Sequence, residues 1–147
     1  MKQVTDTEIK KLQDNLQRIR EAGKWSAEEF GEMIGVTKQT IRNLENKVTP
    51  MSKTQYIAIR SVLDYEMKER QNDNVLNSTV NLCLNSDGLP DAKLKQAWAF
   101  VEGASKTNLD SDILLAGLAT FIGMAAAVEA LTNKTTEAWI AKILKKL

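Results

Sequence analysis

Residues 26–46, SAEEFGEMIGVTKQTIRNLEN, decide the fold, because they read as two short helices joined by a tight turn. Ser26 stands three residues before Glu29, the spacing at which a hydroxyl and a carboxylate each satisfy an orphan amide at a helix start. From that cap Ala27, Phe30, Met33 and Ile34 recur every three to four residues as one apolar stripe, while Glu28, Glu29 and Glu32 face water. Gly35 offers the positive φ that a helix stop favours. Thr37 is then a second N-cap, and the helix it opens buries Ile41 and Leu44.

What this second helix leaves outside is Lys38, Gln39, Arg42 and Asn43, at i, i+1, i+4 and i+5, on one exposed face. All four are hydrogen-bonders. Gln and Asn can pair bidentately with adenine, and Arg or Lys can donate to guanine acceptors, so the face suits the major-groove code.

At these residues the segment resembles the helix-turn-helix of the phage repressor/Cro family, the xenobiotic-response-element type of regulator, over roughly Ile9 to Tyr65. The resemblance is carried by Phe30 with small Gly31, by Gly35-Val36-Thr37, by Ile41, by the closing Leu44-Glu45-Asn46 and by Pro50 before the next helix. It implies a repressor-like fold in which Lys38, Gln39, Arg42 and Asn43 meet base edges and nearby phosphates. The sequence departs from the family pattern at Ala27, where many members carry a glutamine, and at Lys47, where a glycine is common. The second departure leaves Asn46 or Lys47 to adopt a left-handed conformation.

Composition narrows the function classes. The 147 residues suffice for one generous domain or two small ones, and 20 basic against 19 acidic residues imply no bulk attraction to polyanions. A specific DNA binder needs only a local patch. Residues 1–70 carry a net charge of +2 and residues 71–147 a net of −1. With no histidine and the single cysteine Cys83, an internal disulfide is impossible, and Cys/His zinc or Ser-His-Asp chemistry lacks its residues. No cofactor, metal or catalytic constellation is expected, Cys83 reads as a small buried apolar residue, and the start lacks a signal-peptide core, so cytoplasmic residence is expected.

Upstream, Thr5 and Glu8 read as a capping box, followed by Ile9, Leu12, Leu16 and Ile19 at helical spacing, with Lys10, Lys11, Arg18 and Arg20 mostly on the wet side. Gly23 closes that helix, and Trp25 is placed to staple against Phe30. Downstream, Ser52 with Gln55 caps a fourth helix whose apolar stripe includes Tyr56, Ile59, Leu63 and Met67. Amides at a helix start attract phosphate, so Ser52, Lys53 and Thr54, with Thr37, Asn46 and Lys47, are the expected backbone contacts. The polar stretch 68–74 ends the first domain, giving a DNA-binding domain over 1–70 and a helical dimerisation or regulatory domain over 71–147.

In the second half, residues 75–84 fit a helical face and also an alternating strand; helix is favoured because no second strand-like run could pair with it. Asn85 to Pro90 is a turn, and a helix from Pro90 or Asp91 to Lys106 points Leu94, Ala97, Trp98 and Val101 inward. Ile113 to Val128 is uncharged but too short to span a membrane, so it reads as a central buried helix. Its small residues Ala119, Gly123 and Ala127 leave a strip for close helix approach, with Leu115, Ala119, Ile122, Gly123 and Ala127 as dimer-interface candidates. A last helix from Thr135 or Thr136, with Trp139, Ile140, Ile143, Leu144 and Leu147 on one side, is expected to dock on that apolar hairpin.

The expected protein is all-α: a four- to five-helix repressor-like domain followed by a helical domain. Its expected role is a dimeric transcriptional repressor that binds double-stranded DNA through helix 37–46, with no membrane partner. The rival is an antitoxin-like interaction module whose C-terminal helices bind a partner protein, DNA binding being autoregulatory. A small-molecule effector at the C-terminal helices, with Trp98, Phe100, Phe121 and Met124 as lining, is a third.

Overall fold

The computed structural model describes residues 4–70, 73–84, 90–104, 106, 111–131 and 139–140. Among them are eight longer helices and no strand, the all-α class expected. Helix α1 spans Val4–Ala22 and buries Leu12, Leu16 and Ile19 completely. It is already running at Val4, so Thr5 lies inside its first turn and is not the N-cap that the Thr5/Glu8 pattern suggested. At its other end Lys24, not Gly23, takes the left-handed conformation, with φ 64°. Gly23 serves a different purpose: a Cβ there would stand 2.2 Å from the Trp25 ring.

Helix α2 (Ala27–Ile34) starts with the capping box of Ser26 and Glu29 and ends at Gly35, φ 93°. The Trp25 and Phe30 rings stack with centroids 5.4 Å apart, the staple that the spacing predicts. Nothing stands within 4 Å of a Cβ built on Gly35, so replacing it tests backbone strain alone. Gly35→Ala is expected to cost about 1–2 kcal/mol in urea unfolding. Gly103→Ala, helical and also facing open space, should instead stabilise by up to about 1 kcal/mol.

Helix α3 (Lys38–Glu45) and helix α4 (Lys53–Glu69) follow, capped by Thr37 and by the Ser52/Gln55 box. Tyr56, Ile59, Leu63 and Met67 from α4 close a core with Leu12, Leu16, Phe30, Ile41 and Leu44. Two residues of the polar stretch after α4, Arg70 and Asp73, are more tightly held than its composition suggests. Arg70 donates to the Gly23 carbonyl (3.1 Å) and pairs with Asp73, whose other oxygen accepts the Leu76 amide and so opens the next helix.

Helix α5 (Asn74–Leu84) is the central helix of the described chain, and this corrects the expectation for Ile113–Val128. From Leu76 to Leu84 every residue is buried, including Asn77, Ser78, Thr79 and Asn81. Asn81 offsets part of that polar cost by donating to the Ala130 carbonyl at 2.8 Å. Leu76, Val80, Cys83 and Leu84 join the core of α1–α4, so one buried cluster contains residues from both sides of position 70. Burial pushes the Cys83 thiol up to about 12, in keeping with an inert apolar filler.

Helix α6 (Asp91–Ala104) packs on α5 and on the apolar run, which is not one helix but two, α7 (Ser111–Ile122) and α8 (Met124–Ala130). The break is at Gly123, φ 89°, where the absence of a side chain permits the turn. Leu82, Ala97, Val101, Leu114, Leu118, Ile122 and Ala127 form a second buried cluster. Ile113, Met124 and Val128 remain 51, 58 and 47% exposed, so the run is amphipathic rather than enclosed. Among the described residues no helix is long and apolar enough to cross a membrane.

Of the expected last helix, Trp139 and Ile140 are described and helical, and the rest lies outside the described residues. Its docking place differs from the expectation. Trp139 packs on the α1–α5 core and not on the α7–α8 hairpin, with its edge to Tyr56 and its indole N–H donated to Asp64.

Candidate nucleic-acid interface

The outward face of α3 is held by polar anchors that periodicity alone does not reveal. At the end of α3, Glu45 takes both Nε (2.6 Å) and Nη2 (3.1 Å) of Arg20, whose Nη1 donates to the Trp25 carbonyl (2.9 Å). Their side chains are only 6 and 15% exposed. The hydrogen bond to Glu45 holds the Arg20 guanidinium above its ordinary range, outweighing its burial. Arg20 therefore belongs to the interior, not to the wet side of α1.

Gln13, also on α1, is the second anchor. Its Nε2 donates to the carbonyls of Leu44 (3.0 Å) and Thr49 (2.8 Å), and its Oε1 accepts the Met51 amide (3.0 Å). One side chain thus ties the loop after α3 to α1 and fixes where α4 begins. In the sequence both anchors look like ordinary polar positions beside the stripe of Leu12, Leu16 and Ile19. Only the Leu44-Glu45-Asn46 closing of the family pattern hinted at one of them.

On this scaffold Lys38, Gln39 and Arg42 are exposed and Asn43 is half-buried. Gln39 Nε2 donates to Asn43 Oδ1 at 2.9 Å, so the two amides hold each other on the surface. The Gln39 carbonyl oxygen and the Asn43 amino group stay available for base edges, an acceptor and a donor side by side. Gly31 lets the turn come close: a Cβ there would lie 2.7 Å from the Val36 carbonyl oxygen.

The expected phosphate residues surround this face unevenly. Thr37 is exposed, but its hydroxyl accepts the Thr40 amide and meets the Thr40 hydroxyl at 3.0 Å. Asn46, Ser52, Lys53 and Thr54 are exposed, the last three at the start of α4. Lys47 takes the left-handed conformation foreseen for Asn46 or Lys47, with φ 59°, and its Nζ lies 3.0 Å from Asp14. Part of its charge is already answered by that carboxylate. Ala27 is buried, so it presents no side chain at the position of the family's glutamine.

The dimer candidates do not share one surface. Ile122 and Ala127 are buried within the chain's own second cluster, Leu115 and Ala119 are half-buried, and Gly123 is exposed at the break. The strip Ala119-Gly123-Ala127 is interrupted because its middle residue joins two helices. Of the four residues offered as a pocket lining, Phe100 and Phe121 pack on each other at 5.9 Å and Met124 is exposed. Trp98 borders a cavity on the α1 side of α6.

Comparison with curated proteins and with solved structures gives no match. A family model described as helix-turn-helix matches residues 16–69, the span that runs from the middle of α1 through α4. The match covers well under half of the chain, and over residues 16–69 it agrees with the resemblance to the helix-turn-helix of the phage repressor/Cro family.

Proposed function

We propose that this chain is a sequence-specific transcriptional regulator, a dimeric repressor that inserts α3 into the major groove of double-stranded DNA. The observation that carries the reading is the outward pair of Gln39 and Asn43, mutually hydrogen-bonded and flanked by Lys38 and Arg42, on a helix fixed at its far end by Arg20–Glu45. A rigid donor and acceptor at the groove reads bases; the flanking cations and the exposed start of α4 hold phosphates.

Two expected results separate these roles. Gln39→Ala should cost about 1–3 kcal/mol at particular operator bases and leave other sequences nearly unaffected. Lys53→Ala should weaken all sequences alike and lower the slope of log affinity against log salt by about 1. Fluorescence-anisotropy titrations over a panel of single-base operator variants and salt concentrations measure both. Unchanged base preference in Gln39→Ala contradicts the assignment of α3 as the reading helix.

A second copy doubles the half-sites and the phosphate contacts. The exposed apolar residues Ile113, Met124 and Val128 of α7 and α8 are the surface we assign to that contact, in place of Ile122 and Ala127. Sedimentation should give a dimer at roughly tens of micromolar. A monomer that co-purifies with a stoichiometric second protein would favour the antitoxin-like reading instead.

A further inference from the structure

Between α1, α5 and α6 lies a cavity of about 180 Å³. Its chemistry is divided. Val75 and Val101 and the indole of Trp98 give it an apolar and aromatic side, while Arg18 and Lys24 supply two cations and Glu21 and Glu102 two carboxylates. A partner of a single charge gains from one pair and is repelled by the other, so the lining suits a small molecule that carries both signs and an apolar body.

Although Arg18 Nη1 donates to Asn15 Oδ1 at 3.1 Å, the Arg18 side of the cavity also carries buried donors that its neighbours leave unsatisfied. The Arg18 guanidinium lies 3.9 Å over the Trp98 ring, and its Nε stands 3.6 Å from Glu102, an ion-pair distance too long for a good hydrogen bond. Neither Arg18 Nε nor the Trp98 indole N–H, both shut away from water, has a hydrogen-bond acceptor. The Cys83 thiol, a weak acceptor, lies beside both. The Glu102 side chain, also in the lining, is 67% exposed.

We propose that this cleft binds a free apolar or aromatic amino acid, its carboxylate on Arg18 and Lys24, its ammonium on Glu21 and Glu102, and its side chain against Trp98. The size agrees: a cavity of about 150 Å³ already accepts benzene, and this one is partly open at the rim. The site goes beyond the DNA-reading role. Its test uses no DNA, so its failure leaves that role untouched.

The test is calorimetric titration of the full chain with the common L-amino acids, one at a time, alongside tryptophan emission. An apolar or aromatic amino acid should bind saturably with a Kd below about 10 mM, raise the Tm and alter an emission that Trp98→Phe removes. Arg18→Gln and, on its exposed side chain, Glu102→Gln should each weaken that binding by about tenfold. The decarboxylated amine and the deaminated acid should bind more weakly than the amino acid by a similar factor. Absence of binding by every amino acid up to about 10 mM overturns the proposal. So does equal binding of the amine or the acid, or full affinity in a folded Glu102→Gln variant.

Discussion

Replacing Glu45 by alanine is expected to destabilise the protein by about 3–5 kcal/mol, because it strands a guanidinium that is almost enclosed. Arg20 reaches Glu45 with two hydrogen bonds and the Trp25 carbonyl with a third, so this charge joins α1, the turn before α2 and the last turn of α3. With the carboxylate gone, the cation must reach water by pulling α1 and α3 apart, or stay buried without its partner. Folded domains are stable by only about 5–15 kcal/mol, so a loss of this size is a large part of the whole. DNA affinity should fall with it, since only molecules with α3 seated are competent to bind. Replacing both partners together by leucine should restore much of the stability, because an apolar pair of similar volume avoids desolvating two charges. Urea unfolding of the two single variants and the double gives the coupling energy directly. A loss under about 1 kcal/mol in Glu45→Ala would mean that the pair is solvated and does not fix α3.

Trp139→Ala should have an effect of similar size, about 3–5 kcal/mol, for a different reason. The side chain is 5% exposed, meets Tyr56 edge-on at 5.9 Å, lies under Arg60 at 5.1 Å from its ring, and donates its N–H to Asp64. Removing it opens a large cavity on α4 and takes a donor from a carboxylate. Trp139→Phe keeps most of the apolar contact and loses the hydrogen bond, so it should cost about 1.5–3 kcal/mol. The two values together separate packing from the polar contact. Because the residue belongs to the last described segment and its partners to α4, the same experiment tests whether the C-terminal segment supports the DNA-binding domain. A near-neutral alanine variant, with unchanged urea midpoint, would remove that support.

The helices of the N-terminal part were legible because their signals are local. Ser26 with Glu29, Thr37, and Ser52 with Gln55 are caps that depend on residues three apart, and the structure shows each in place. The stripe of Leu12, Leu16 and Ile19 depends only on helical period. Contacts between distant residues left no such trace. Arg20 and Glu45 are 25 positions apart and Gln13 and Met51 are 38 apart, so each looks like a surface residue until the helices are packed.

The second half failed for another reason. The run Ile113–Val128 is the most apolar in the chain, and apolarity alone suggested the centre, yet Gly123 divides it and three of its large residues face out. The centre went instead to α5, whose Asn77, Ser78, Thr79 and Asn81 argued against full burial. A backbone acceptor at Ala130, 49 positions away, makes the burial of Asn81 tolerable, and no local pattern announces it. Gly117 shows the same limit: the ring of Phe100 fills the place where a Cβ would stand.

Whether the exposed face of α3 reads base edges is decided by selection of bound duplexes from a random pool, run in parallel on the wild type and on Gln39→Ala. The wild type should select a two-fold symmetric motif, with half-sites about one helical turn apart. The variant should keep that spacing and lose preference at one position in each half-site. Recovery of an identical motif by both proteins, or no enriched sequence with the wild type, would rule out α3 as the reading helix.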